Sequence, residues 1–426
     1  MERDTAFEMA ASAIRFGTGI TAEIGMDLAD VGLARVLVVT DGRLASLEPV
    51  AVVRQSLDNA GVAHDLYDGV HVEPTDASFK DAIRVATEGG YDGYVAVGGG
   101  SSMDTAKAAN LYASHPPGDF LDYVNAPIGK GLPVPGPLKP LIAVPTTAGT
   151  GSETTGVAIF DLVEMQAKTG IAHRRLKPTL GLIDPDNTKS LPPAVAASTG
   201  LDVLSHALES YTAIPFDQRP RPERPILRPS YQGANPISDL WALESLRMMA
   251  RFLPRAVADP EDDEARGQML LAASFAGIGF GNAGVHLPHG MSYPVAGRVR
   301  DYLPPGYDAD HAMVPHGNAV IVNAPAVFRF TASADPRRHL RAAEVLGADV
   351  ASVQEADAGR VLADTIIDLM RSLDAPNGLQ ALGYTAEDIP ALVEGTLPQH
   401  RVTKLSPREA GTEELTALFE DAMRYW

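Results

Sequence analysis

Four short apolar runs punctuate the first half of the chain: RVLVVTD (Arg35–Asp41), YDGYVAVGGGSS (Tyr91–Ser102), KPLIAVPTT (Lys139–Thr147) and LGLIDP (Leu180–Pro185). Their apolar stretches are continuous rather than alternating, so strands made from them need cover on both faces. Helical stretches such as PVAVVRQSLDNAG and DASFKDAIRVATEGG lie between the first two runs. Continuous strands separated by helices predict a parallel sheet with helices on both sides. Beyond about Leu191 the texture changes to long helical patterns: AVAASTGLDVLSHALESYTA, SDLWALESLRMMARFLPRAV, DEARGQMLLAASFAGIGFGNAG, AGRVLADTIIDLMRSL and TEELTALFEDAMRYW. The expected layout is an α/β domain over residues 1–190 and an all-α domain over residues 191–426. The Pro- and Arg-rich segment Pro215–Pro236 is expected to be an extended loop.

Composition narrows the chemistry. The chain has no cysteine, which excludes disulfides, zinc–thiolate sites and thiol catalysis. Any transition-metal site must therefore be built from histidines and carboxylates. The net charge of -19 argues against nucleic-acid binding, which relies on Lys and Arg neutralising phosphates. An anionic ligand would need a local group of positive side chains. There is no apolar run of about 18 residues, so no membrane-spanning helix and no membrane partner are expected. The opening MERDTAFEMAASAIRFG carries acids and no long apolar core. It reads neither as a secretory signal nor as an organelle transit peptide, and a cytoplasmic protein is expected.

The first half carries three features that suit a nucleotide. GGGSSMDTAKAAN (Gly98–Asn110) follows a strand and opens a helix, where free N–H groups suit a phosphate. It is not the G-x-G-x-x-G fingerprint, and the same residues could form a plain tight turn. Asp41 ends the first strand; an acid there can bond ribose hydroxyls and repel a 2′-phosphate, favouring NAD over NADP, or it can simply cap the next helix. PTTAGTGSETT (Pro145–Thr155) places hydroxyls and glycines after the third strand. Together and in this order, they point to a nucleotide more strongly than any one alone.

The second half carries the metal candidates. In GLDVLSHALES, Asp202 and His206 are four apart and share a helix face, either as a satisfied hydrogen bond or as two ligands. VHLPHGMSYP and VPHGNAV each hold a Pro-His-Gly triplet, with His289 and His316 at their centres, in a chain of only 11 histidines. One carboxylate and three imidazoles suit a divalent metal such as Fe²⁺ or Zn²⁺. His286, three residues before His289, could be a spare ligand, a proton carrier or a pocket wall.

On these residues the chain resembles the iron-containing (group III) alcohol dehydrogenases, from about residue 15 to the C-terminus. The resemblance implies an α/β dinucleotide-binding domain followed by a helical metal-binding domain. It implies NAD(H) on Gly98, Gly99, Gly100, Ser101 and Asp104, with Thr146, Thr147, Thr150 and Lys168. It implies a metal, Fe²⁺ or else Zn²⁺, on Asp202, His206, His289 and His316. Long stretches such as RPSYQGANPISDLWAL and FAGIGFGNAGVHLPHGMSYP resemble one branch of the family. Members of that branch pass hydride from a hydroxyacid to an oxoacid through retained NAD(H), implying 4-hydroxybutyrate and 2-oxoglutarate as substrates. The alternative within the family is an NAD-dependent alcohol or 4-hydroxybutyrate dehydrogenase that releases NADH. Many relatives carry a second histidine four residues after the ligand; this chain has Tyr293 there, to hold the reaction's proton or to shape the pocket. Arg219, Arg221, Arg224, Arg228, Arg401, Lys404 and Arg408 are the candidate carboxylate anchors, with Arg228 the first choice because it opens RPSYQGANP. The partners are small-molecule hydroxyacids and oxoacids, and a homo-oligomer is allowed.

Overall fold

The computed structural model describes residues 2–165, 167–307 and 311–426. It divides into two compact units, Ala10–Leu191 and a second made of Met1–Met9 with Pro192–Trp426. The main boundary lies one residue from the expected one. The first nine residues, however, go with the helical unit rather than the α/β unit.

The α/β unit contains β1 (Ala13–Phe16), β2 (Arg35–Asp41), β3 (Ala63–Val70), β4 (Gly93–Gly98), β5 (Leu141–Pro145), β6 (Val157–Leu162), β7 (Ala167–Ala172) and β8 (Leu180–Ile183). Its helices are α1 (Ile24–Asp30), α2 (Glu48–Ala60), α3 (Asp76–Gly89) and α4 (Gly100–Ser114). Six strands form a parallel sheet in the order β1-β8-β5-β4-β2-β3. The neighbouring strands β2 and β4 show why their sequences run apolar. Leu37, Val39, Tyr94 and Ala96 enter the core on one face; Val36, Val38, Val95 and Val97 enter the core on the other, and all eight are fully buried. Each buried Val or Leu contributes about 1.5–3 kcal/mol.

β1 and β3 were not legible as strands. Both lie at sheet edges, and β3, AHDLYDGV, alternates exposed and buried residues instead of running apolar. β6 and β7 pair as an antiparallel hairpin apart from the main sheet. From β2 the chain moves to β3 on one side, and from β4 to β5 on the other. The order therefore reverses between β2 and β4, and ligands bind parallel sheets at the carboxyl ends of strands at such a point.

The helical unit contains α5 (Pro193–Thr212), α6 (Pro236–Ala258), α7 (Asp263–Ala283), α8 (Leu287–Gly297), α9 (His316–Ile321), α10 (Ala324–Thr331), α11 (Pro336–Val345), α12 (Ala358–Ser372), α13 (Ile389–Thr396), α14 (His400–Thr403) and α15 (Thr412–Asp421). α5 is buried along nearly all of Ala196–Thr212, with α6, α7 and α9 packed against it. α15 stops at Asp421 rather than running to Trp426. The backbone carbonyls of Ala422 and Met423 instead accept from Leu379 and Gln380, and Asn377 accepts from the N–H groups of Tyr425 and Trp426. The Pro- and Arg-rich segment has two short 3-10 turns, Phe216–Gln218 and Pro225–Leu227. It is tied to the N-terminal residues by the buried Asp4, which accepts from Arg228 at 3.0 Å through two nitrogens and pairs with Arg219 at 2.8 Å. Among the described residues, no single helix is long and apolar enough to cross a membrane.

Candidate functional site

In the helical unit the geometry converges on Asp202. Its Oδ1 lies 3.8 Å from His206 Nε2, 3.6 Å from His289 Nε2 and 3.8 Å from His316 Nε2. Ligand atoms about 2.1 Å from one tetrahedral centre sit about 3.4 Å apart, so these spacings are of the right size for a shared ion. Asp202 Oδ1 and His289 Nε2 are buried without a hydrogen-bond partner. Buried polar atoms are costly when unpaired, and these two point at each other across the cluster. Asp202, His206 and His289 are all buried; the His316 side chain is 29% exposed and marks the open side. The donor set and its unpaired atoms fit a divalent transition metal.

Each candidate ligand is placed by local sequence. Asp202 and His206 share a stripe of α5, and Glu209, one turn further, continues it. Glu209 Oε1 lies 2.6 Å from His289 Nδ1, and its Oε2 accepts from the backbone N–H of His286 at 2.6 Å. A carboxylate on Nδ1 fixes the ring so that Nε2 faces the metal position. Glu209 was missed by sequence reasoning, although its place three residues after His206 on a buried helix face was a usable signal. Phe280, also missed, stacks on the His206 ring at 3.9 Å.

The two His-Gly pairs share one logic. A Cβ on Gly317 would lie 1.9 Å from the Ser198 carbonyl oxygen of α5, so only glycine lets α9 come close enough to set His316 over Asp202. A Cβ on Gly290 would lie 2.8 Å from Thr403 Cγ2, which is where α14 packs on α8.

Charge in the cluster is tightly coupled. Burial pushes His206 down to about 3. Burial also acts to lower His289, but the Glu209 and Asp202 carboxylates outweigh it and push His289 up to about 10. Burial would raise Asp202; His206, His316 and His289 together hold it below the usual carboxylate range. Two buried carboxylates thus need a positive charge beside them, which a divalent cation would supply.

Three further sequence candidates lie outside the Asp202 cluster itself. His286 is fully buried; its Nε2 bonds Thr212 Oγ1 at 3.0 Å and its ring edge meets Phe328. It stands in the packing beside the cluster rather than in it, because the turn into α8 points it away from Asp202. Arg228 is held by Asp4 and serves to anchor the N-terminal residues, so it is not an open carboxylate receptor. Tyr293 is buried, and its Oη accepts from Arg401 Nη2 at 2.8 Å.

In the α/β unit the three nucleotide candidates meet at the point where strand order reverses. Val39 pairs with Ala96 and Gly98 with Pro145, so Asp41, the glycine turn and the threonine loop sit at adjacent strand ends. No side chain caps α4 at Gly99, leaving its first N–H groups for a phosphate. Gly98 has φ +150° and a Cβ there would strike Ser102 Oγ, while a Cβ on Gly100 would strike Thr150. Thr146 N–H donates to the Gly98 carbonyl, and Thr147 lies against Gly99. Asp41 Oδ1 accepts from the N–H groups of Arg43 and Leu44, the capping role. Asp104 is occupied within the protein, accepting from Ser152 Oγ at 2.6 Å and the Ile159 N–H at 2.9 Å, and so pins the threonine loop to α4. Lys168 is buried and paired with Glu73 at 2.6 Å and Asp161 at 3.2 Å; the Glu73 N–H donates to Ser101 Oγ. The lysine therefore lies one residue from the glycine turn, held by two acids.

Comparison with known proteins decides the family. An iron-containing alcohol dehydrogenase model matches residues 11–185, and the C-terminal model of the Fe-containing alcohol dehydrogenase family matches residues 230–423. The chain belongs to the iron-containing alcohol dehydrogenase family. As a member of that family it is an oxidoreductase acting on CH–OH groups. It is 61% identical over 424 residues to a Xenopus laevis protein named hydroxyacid-oxoacid transhydrogenase, mitochondrial, covering 99% of this chain and 92% of that one. Among solved structures it resembles a 1,3-propanediol oxidoreductase, with TM-score 0.85 and 29% identity over 98% of this chain and all of that one. It also resembles a sulfoacetaldehyde reductase from Bifidobacterium kashiwanohense in complex with NAD+, with TM-score 0.79 and 26% identity over 99% of both chains. The expectation of a cytoplasmic protein is overturned, since relatives with the transhydrogenase name are mitochondrial. A compartment address is read by receptors from a separable segment, so the make-up of the folded body does not report it.

Proposed function

We propose that the chain transfers hydride from a hydroxyacid, 4-hydroxybutyrate, to an oxoacid, 2-oxoglutarate, through NAD(H) that stays bound between the two half-reactions. The observation that carries this reading is the 61% identity, over 99% of the chain, to a protein named hydroxyacid-oxoacid transhydrogenase. The Asp202 cluster and the glycine turn supply what such chemistry requires.

Asp202, His206, His289 and His316 would hold the metal, with Glu209 orienting His289. A bound metal lowers the pKa of a substrate hydroxyl and polarises the product carbonyl. Four protein ligands would fill a tetrahedral zinc, whereas Fe²⁺ accepts higher coordination and so is the metal proposed here. Asp41, Gly98–Ser101, Thr146, Thr147, Thr150 and Lys168 would surround the nucleotide. The nicotinamide carries the hydride, and the protein's part is to hold it in place. Oxidation of the hydroxyacid releases one proton, and reduction of the oxoacid takes one up. Tyr293 Oη, which accepts from Arg401, is the group proposed to hold that proton between the halves, taking it up when the hydroxyacid is oxidised and returning it when the oxoacid is reduced. His286, closed off against Thr212 and Phe328, has no place in this scheme.

The test is an assay without added nucleotide. Purified, iron-loaded protein is mixed with 4-hydroxybutyrate and 2-oxoglutarate, and 2-hydroxyglutarate is followed by mass spectrometry. Multiple turnovers are expected. Product only after NAD⁺ is supplied, with free NADH accumulating from the alcohol alone, would instead make the chain an ordinary dehydrogenase.

A further inference from the structure

The positive charges raised from the sequence differ sharply in what they touch. Arg219 and Arg228 are committed to Asp4, and Arg221 to Glu2. Arg408 donates to the Phe330 carbonyl and Ser333 Oγ, and Lys404 is exposed. Arg401 is different. Its Nη2 donates to Tyr293 Oη at 2.8 Å, its guanidinium lies 5.2 Å from the Tyr231 ring centroid, and its Nη1 is buried with no hydrogen-bond partner. Among the described residues no carboxylate is paired with it. A buried guanidinium nitrogen with nothing to donate to is costly unless a ligand completes it.

Its position is set by the metal ligands. Tyr293 follows His289 by one turn of α8, a rise of about 6 Å along the helix axis. Tyr231 meets Phe280 at 6.5 Å between centroids, and Phe280 stacks on His206 at 3.9 Å. Two independent chains of contact, one through Tyr293 and one through Tyr231 and Phe280, therefore lead from a ligand histidine to the same guanidinium. Gly290, next to His289, is what lets α14 approach so closely.

We propose that Arg401 is the residue that receives the substrate's carboxylate, with Tyr293 positioning it. This deepens the hydroxyacid–oxoacid reading and rests on it. Four bonds of about 1.5 Å separate the hydroxyl oxygen of a four-carbon ω-hydroxyacid from its carboxylate carbon, about 5 Å when extended. That length is comparable to the spacing along α8 between the ligand histidine and Tyr293. A guanidinium fork fits a carboxylate through two parallel N–H···O bonds. It also solves the charge problem of a strongly acidic protein with anionic substrates, because a cation fixed at the site acts locally while the net charge acts from a distance.

The test compares Arg401→Met and Arg401→Lys with the wild type. For each, kcat/KM is measured for 4-hydroxybutyrate and for 1,4-butanediol, which has the same length and no carboxylate. Binding of 2-oxoglutarate to the metal-loaded protein is measured separately by calorimetry. The expected result is a fall of about 100-fold in the acid-to-diol ratio for the Met variant, with a matching loss of 2-oxoglutarate affinity. A fall of about 10-fold is expected for Lys, which keeps the charge but not the fork. An unchanged ratio in either folded variant, or a wild type that does not prefer the acid to the diol, overturns the proposal. If the protein proves to release NADH the transhydrogenase reading fails, yet the acid-to-diol ratio still decides the role of Arg401.

Discussion

At the scale of single residues, the site depends on one carboxylate meeting three imidazoles and on a second carboxylate behind them. Glu209 is the more instructive of the two, because it would touch no metal. Its Oε1 holds His289 Nδ1, and its Oε2 holds the backbone at His286, so both the ring and the turn into α8 depend on it. Glu209→Gln keeps the shape and removes the charge. It should weaken metal binding by about 10- to 100-fold, as loss of such outer partners does elsewhere. Competition with a chromogenic chelator would measure this, and an unaltered metal affinity would reduce Glu209 to a packing role. Tyr293 shows the reverse lesson. The sequence marked it as a departure from the family's usual histidine and offered a proton role or a pocket wall, whereas its observed bond is to Arg401, which no spacing along the chain could reveal.

At the scale of elements, the candidate metal ligands are delivered by helices that come unusually close. α5 supplies Asp202, His206 and Glu209 from one stripe, and α9 lays His316 over it. That approach is possible because residue 317 has no side chain. Gly317→Ala should push α9 away from the Ser198 carbonyl, costing about 1–3 kcal/mol of stability and loosening the metal. Gly297, at the end of α8, has nothing within 4 Å of where a Cβ would sit, so Gly297→Ala is the matched control and should be close to neutral. Thermal melting with and without added metal would compare them. Equal behaviour of the two variants would show that α9 can yield without disturbing the site. The α/β unit uses the same device at Gly100, where Thr150 of the threonine loop lies against the glycine turn.

At the scale of the whole molecule, the N-terminal residues belong to the helical unit through a buried ion pair network. The Arg228 guanidinium bonded to Asp4 holds that carboxyl below its usual value of 3.8. A carboxyl whose folded value is depressed contributes stability that is present above its unfolded value and lost as pH falls through the folded one. Asp4→Asn should therefore lower the melting temperature at pH 7, by an amount corresponding to about 3 kcal/mol, because it leaves two guanidinium groups without their partner. The difference from wild type should shrink below pH 4. A variant that melts with the wild type at pH 7 would show that the N-terminal tie is dispensable. The same variant should leave the acid-to-diol ratio alone, which separates this network from the site at Arg401.

Much of the fold was readable because burial leaves a periodic record. Strands covered on both faces must be apolar throughout, and that marked β2, β4, β5 and β8. Edge strands such as β3 keep polar residues and gave no such sign. The site was readable wherever chemistry limits the choice of residue: with no cysteine, a metal falls to histidines and acids, and a backbone that must approach closely requires glycine. What the linear order could not decide is which groups find each other across long separations. Arg228 and Arg401 are both arginines in distinctive stretches, and only the folded chain pairs one with Asp4 and leaves the other with a free nitrogen beside the ligands. The residue types follow from local rules, while their partners follow from how helices hundreds of residues apart pack. Packing is a property of the whole chain's volume and shape, so no window of sequence contains it.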